Sequence, residues 1–154
     1  MTATPGAQSL HRLIYASAVT IPPQDLDDSV SAIIQASIRN NRQVSVTGLL
    51  LIHEGCFVQA LEGPTEAVLD TYGRIQADPR HAEARVLQAG PAAAREFGDW
   101  NMCARRMSPA DDAILDALAQ RRRFDPSALT GRAALRLLMA VRGIQHRTDL
   151  RRMA

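Results

Sequence analysis

VSVTGLLLIHEGCFVQALEGP, residues 44–64, holds two β-rich runs on either side of His53-Glu54-Gly55. That is a hairpin pattern, and Gly55 can take the positive φ that a tight turn requires. In the second run, strand alternation puts Gln59 on the same face as Phe57 and Leu61. A primary amide on an apolar face is costly unless its donors and acceptor are paired. An isolated glutamine there is ordinarily a backbone cap or a solvent-facing edge residue. Its meaning depends on what the neighbouring strand presents.

Upstream, HRLIYAS (11–17) reads as a short buried strand, with Leu13, Tyr15 and Ser17 on one face and Ile14 and Ala16 on the other. Pro22 and Pro23 interrupt it. Asp25, Asp27 and Asp28 then favour a helix start, and Leu26, Val30, Ile33, Ile34, Ser37 and Ile38 follow at helical spacing to about Asn41. Downstream, Gly63-Pro64 opens a second helix with Ala67, Val68, Thr71, Tyr72 and Ile75 on its apolar face, and Asp78-Pro79 ends it. RVLQA (85–89) and WNMCARRM (100–107) supply two more strands. The order β-α-β-β-α-β plus a strand predicts a ferredoxin-like α+β sheet whose first and third strands are central neighbours. Tyr15 and Gln59 then become a polar pair facing a helix layer. After Ser108-Pro109 a helical hairpin is predicted. Ile114, Leu115 and Leu118 mark its first helix, and Leu135, Leu138, Met139 and Val141 or Arg142 its second. Its apolar stripe must cover the other sheet face or another subunit.

The 154 residues, 46% hydrophobic and 22% charged, suit one globular domain and argue against disorder. No stretch reaches the roughly 20 apolar residues of a membrane span, and no secretory signal is visible, so a cytoplasmic location is expected. Cys56 and Cys103 are too few for a disulfide scaffold and lack metal-ligand spacing. All 18 basic residues are Arg. Residues 1–104 carry 7 Arg and 11 acidic residues, and residues 105–154 carry 11 Arg and 5 acidic residues. Such a basic end is ordinarily a solvated helix face, with nucleic acid as the functional alternative.

Other candidates have plain readings too. Asn40-Asn41 suits a helix end, or two amides reading a heteroaromatic edge. Arg80-His81 reads as a solvated turn or a phosphate contact, and Glu62 with Glu66 as electrostatics around a helix start. No Gly-rich phosphate loop, G-x-S-x-G, H-E-x-x-H or Cys/His cluster is present. From residues alone the reading ends at a small α+β domain with a buried polar site.

Five segments in order nevertheless resemble the BLUF family of blue-light sensors that bind FAD. They are L-I-Y-A-S around Tyr15, N-N-x(5)-T-G-L-L from Asn40 to Leu50, F-V-Q-A-L-E-G-P around Gln59, D-P-R-H at Asp78 to His81, and F-G-D-W-N-M at Phe97 to Met102. The resemblance runs from about Leu10 to Met107. It implies a flavin ring between the two helices, with Ile33 and Ile75 packing its faces. Asn41 and Asn40 would hydrogen-bond its edge, Ser37 would be a further cofactor-binding residue, and Asp78, Arg80 and His81 would lie near the ring and its chain. Tyr15 would be the light-driven electron and proton donor, and Gln59 the relay whose amide rearranges by rotation or tautomerisation to give a small red shift. Trp100 and Met102 match signal-output positions. Asn40, Ala60 and Cys56 depart from the commonest residues at their positions.

The expectation is a non-enzymatic photoreceptor carrying FAD, with FMN or riboflavin as alternative flavins. A flexible 1–9 would precede the flavin-binding unit 10–107, followed by a helical output and oligomerisation extension at 108–145 and a basic tail at 146–154. Homo-oligomers and a separate effector protein are the expected partners, with no membrane. The competing expectation is a cofactor-free ferredoxin-like module that binds nucleic acid through its Arg-rich end.

Overall fold

Central strands that are mostly apolar and buried on both faces build a five-stranded sheet in the computed structural model, which describes residues 9–26, 28, 29, 31–33, 45–53, 55–98, 101–106 and 129–141, with the backbone alone at 23, 53 and 101–106. The strands are β1 (Leu10–Val19), β2 (Thr47–His53), β3 (Cys56–Pro64), β4 (His81–Pro91) and β5 (Asn101–Arg106). Their order is β4-β1-β3-β2-β5, antiparallel except for the parallel β2–β5 pair. This is the expected ferredoxin-like sheet with a fifth strand at its edge, and β1 and β3 are adjacent as predicted. A 3₁₀ turn (Pro23–Asp25) leads into helical residues 26, 28, 29 and 31–33 (α1). The second helix, α2, is Thr65–Gln76, and residues 131–141 form α3.

The hairpin closes on the His53–Cys56 pair, with Gly55 at φ 76°. A side chain there would be strained, so this glycine sets the β2–β3 register and with it the face on which Gln59 lies. Pro64, with φ −56° and ψ 141°, is the last extended residue before α2. Its ring locks that φ and supplies a sharp strand-to-helix junction.

The strand period divides the sheet into two layers of packing. On one face Leu13, Tyr15 and Leu61 meet Val68, Ala67, Tyr72 and Ile75 of α2, while Leu50, Ile52 and Phe57 meet Leu26 of α1. On the other, Ile14, Ala16, Leu49, Leu51, Val58 and Ala60 meet Phe97 and the α3 residues Ala134, Leu137, Leu138 and Val141. Thus the described helix of the C-terminal extension covers the second sheet face. Gly131 permits its close entry, since a Cβ there would come within 2.5 Å of the Leu87 carbonyl oxygen on β4. The first helix of the predicted hairpin lies outside the described residues.

One strand departs from expectation. β4 begins at His81, not at residue 85, because two bulges let it pair along β1 despite a turn-like sequence. Ala16 pairs Arg85 and Ala18 pairs Ala82, so Glu83 and Ala84 together oppose Ser17. Glu83 sits at φ 57°. Bulges of this kind re-aim a side chain, here His81, which carries chemistry.

A buried tyrosine–glutamine pair beside a cleft

Tyr15 and Gln59 are direct cross-strand partners at the centre of the sheet. They are 2% and 4% exposed, and the Tyr15 hydroxyl donates to Gln59 Oε1. Burial, reinforced by the nearby Tyr72 and Asp78, pushes the Tyr15 phenol far above its ordinary range. It is therefore a neutral O–H donor at any physiological pH. The rings of Tyr72 and His81 stand 5.3 and 6.0 Å from that of Tyr15, centroid to centroid, and hold its plane.

A cleft opens beside the pair, lined by Tyr15, Ile33, Leu50, Phe57, Gln59, Ile75, Asp78, Arg80 and His81. Ile33, Leu50, Phe57 and Ile75 make apolar walls, while the remaining side chains bring amide, phenol, carboxylate and guanidinium groups. That combination suits a flat heteroaromatic ring with hydrogen-bonding edges, and an isoalloxazine ring has that chemistry.

Asp78 and Arg80 form a chelate at the cleft mouth. Arg80 Nε donates to Oδ1 at 2.9 Å, Nη2 to Oδ2 at 2.5 Å, and the Arg80 backbone N–H to Oδ1 at 2.9 Å. The hydrogen bond from Arg80 holds the Asp78 carboxyl below the usual carboxylate range, against the opposing effect of partial burial. His81, read from spacing alone as a solvated turn residue, is instead buried. The bulge turns its ring inward, where Nε2 lies 2.5 Å from the Ile75 carbonyl oxygen and Nδ1 2.7 Å from Ser17 Oγ. A carbonyl can only accept, so Nε2 carries a proton. In the neutral ring Nδ1 then accepts from Ser17. His81 ties the C-terminal end of α2, and so Ile75, to Ser17 near the C-terminal end of β1.

The structure thus brings together Tyr15, Gln59, Ile33, Ile75, Asp78, Arg80 and His81. Ser37, Asn40, Asn41 and Trp100 lie outside the described residues, and Met102 is described only as backbone on β5. Sequence reasoning missed Ser17 as the partner of His81, although it shares the face of Tyr15 two residues on. Glu62 was read as helix-start electrostatics. It is instead fully buried, accepting from Arg12 Nε at 2.8 Å and from the backbone N–H groups of Glu96 and Phe97 at 2.9 and 2.7 Å. A carboxylate at an apolar strand's even position was the available signal. Among the described residues no group of acidic, His or Cys side chains could hold a metal ion, and no helix is long and apolar enough to cross a membrane.

Comparison with known proteins bears on the fold and the family. The photoactivated adenylate cyclase subunit beta of Euglena gracilis is 41% identical over 98 residues, covering 63% of this chain and 11% of the relative. The chain therefore spans only about a ninth of that protein. The dark-state structure of BlrB, a BLUF protein, superposes with a TM-score of 0.68 at 32% identity, covering 86% of this chain and 94% of that one. The photo-activated state of BlsA shares the fold, with a TM-score of 0.75 at 24% identity over 84% of this chain and 91% of that one. Residues 10–103 match the description "BLUF: Sensors of blue-light using FAD", and the chain belongs to that family of FAD-using sensory domains.

Proposed function

We propose that Tyr15 and Gln59 are the photoactive pair of this blue-light sensor, and that the resulting change is passed to an effector. The buried O–H···Oε1 bond facing the cleft is the observation that carries the reading. When bound, FAD supplies the absorption of blue light and, once excited, the pull on an electron. Tyr15 suits the donor role because its neutral phenol is oxidisable and already hydrogen-bonded. Loss of that electron makes its O–H strongly acidic, and its proton passes to Gln59 Oε1 as an N–H proton of the amide leaves into the cleft, following the electron. The amide then rotates or tautomerises, exchanging the donor and acceptor it presents to the cleft without moving net charge. Return of the electron and proton to Tyr15 re-forms the O–H and leaves the new arrangement in place. In a dry site each hydrogen-bond set is strong enough to define a state.

Ile33 and Ile75 would pack the ring faces, with His81 fixing Ile75 through its carbonyl. Asp78, Arg80 and His81 would lie at the ring and its chain, Asn40 and Asn41 would take the ring edge by their match to the family, and Ser37 would be a further cofactor contact. Residues 10–107 would form the flavin-binding unit, with Trp100, Met102 and the C-terminal helices on the output side. Relatives named photoactivated adenylate cyclases support an enzymatic activity governed by such a unit. The governed activity would lie outside residues 10–107. The competing idea of a cofactor-free module has no support in a family defined by its use of FAD.

Absorption spectra before and after blue light test the proposal. Purified protein should be yellow and shift slightly to the red, then recover in darkness. Gln59→Leu should keep the flavin and lose the shift, and a full shift in that variant would overturn the assignment. A normal photocycle in Tyr15→Phe would remove Tyr15 from its role.

A further inference from the structure

Gln59 and Glu62 are three residues apart on β3, so their side chains leave opposite faces of the sheet. Gln59 faces the cleft, whereas Glu62 belongs to the α3 face and is fully buried there. Its carboxylate gathers three donors: Arg12 Nε from β1 and the backbone N–H groups of Glu96 and Phe97. The same segment is held a second time by Arg95. Its guanidinium donates to Thr47 Oγ1 on β2 at 2.7 Å, to the Glu62 carbonyl oxygen at 3.0 Å and to the Ser45 carbonyl oxygen at 2.7 Å. Arg12 Nη2 adds a bond to the Ala94 carbonyl oxygen at 3.0 Å. Phe97, the residue whose N–H the carboxylate holds, has no exposed surface and packs with Ala134, Leu137, Leu138 and Val141 of α3.

A loop connection ordinarily caps its own backbone or leaves it to water. Here a buried charge on the photoactive strand is committed to two successive loop N–H groups, and the next side chain is embedded under a helix. We infer that Glu62 is a positioning residue that couples the Gln59 strand to α3, by holding residues 95–97 in register with β3 so that Phe97 carries movement of that strand into the α3 core. This route rests on the proposed role of Gln59 and runs through the sheet to its opposite face, independently of the family's output positions at 100 and 102.

Glu62→Gln probes the latch with almost no change of volume. Three donors converge on two carboxylate oxygens, so in the amide at least one of them faces an NH₂ group and loses its acceptor. The full chain with FAD is followed by absorption and by hydrogen exchange of peptides covering 95–98 and 131–141, in darkness and under steady blue light. Wild type should shift to the red and change its exchange at both segments. Glu62→Gln should keep the red shift, exchange the 96 and 97 amides roughly tenfold faster in the dark, and lose the light-dependent difference at 131–141. Phe97→Leu provides a variant that leaves the carboxylate bonds intact. It should retain the light response at 95–98 while the response at 131–141 shrinks. A normal red shift with a full light response of 131–141 in both variants overturns the coupling, as does a wild-type shift without any change at 131–141. An absent red shift in wild type removes Gln59 as the source, and the coupling with it. A merely structural Glu62 would alter dark exchange and leave the light-minus-dark difference in place.

Discussion

The two faces of one sheet are built from the same strands, residue by residue in alternation, yet they are different kinds of interior. Under α3, Ile14, Leu49, Leu51, Val58 and Ala60 interlock with Phe97, Leu137 and Leu138, and the polar groups keep to one end, around Glu62. Under α1 and α2, Tyr15, Ser17, Gln59 and His81 interrupt the aliphatic packing, and the space beside them stays open as a cleft. The closed face supplies burial and close packing, which hold the strands. The open face gives up packing to keep an amide and a phenol in a dry place where hydrogen bonds can be exchanged. A rigid closed face is what lets the open one tolerate this without losing its register.

The sharpest test of that division compares one truncation on each side. Leu138→Ala leaves a cavity among fully buried neighbours and should cost about 2–5 kcal/mol of unfolding free energy. Gln59→Leu removes a buried amide and strands the Tyr15 hydroxyl. The unmade hydrogen bond costs about 1–3 kcal/mol, partly offset by the added apolar burial. Denaturant titrations in the dark should therefore rank Leu138→Ala well below Gln59→Leu in stability, while light-difference spectra rank them the other way. Equal losses of stability would mean that the open face is as structural as the closed one.

Alkaline stability provides the next largest effect and reports on the open face alone. The Tyr15 phenol is raised in the folded chain above the unfolded value of 10.0. Above that pH the unfolded chain gives up a proton that the folded one keeps. Stability contributed by the neutral, buried phenol is thus complete below pH 10 and is lost as pH rises further, at about 1.4 kcal/mol per pH unit for a single proton. Tyr15→Phe should remove one proton's worth of that slope. Urea titrations between pH 9.5 and 11 measure it, and an unchanged slope would show that the phenol is not sealed from water.

Much of this was legible in advance, and the residues show why. Period-2 alternation in 56–61 and 11–17 is a local property, so it put Tyr15 and Gln59 on matching faces and made them neighbours once the strand order was assumed. Helical spacing likewise marked Val68, Thr71 and Ile75 on α2 and Leu138 on α3, with Val141 and Arg142 as alternatives for the next position. What could not be read were partnerships made across long separations. Glu62 meets Glu96 and Phe97 from 34 and 35 residues away, and no local pattern encodes that meeting. His81 was misplaced for a related reason: Asp-Pro-Arg-His reads as a turn, and only pairing with β1, through a bulge at Glu83 and Ala84, turns its ring inward.

That bulge yields the smallest effect and the finest test of the comparison. Glu83 is exposed and holds φ 57°, a left-handed conformation costing a residue with a Cβ about 1–2 kcal/mol. Glycine relieves that cost but adds about 0.5–1 kcal/mol of unfolded-chain entropy to be lost. Glu83→Gly should therefore stabilise the chain by up to about 1 kcal/mol, seen as a higher denaturation midpoint at constant slope. Glu83→Val should move the midpoint down, since a β-branched residue tolerates positive φ least. The strain exists because two residues must oppose Ser17 for the His81 ring to reach Ser17 and the Ile75 carbonyl. If the glycine variant gains stability and keeps its flavin spectrum, the edge strand carries a backbone cost on behalf of the open face. A glycine variant less stable than the natural chain would show instead that the bulge is held by the Glu83 side chain, and the open face would then reach out to the sheet's edge.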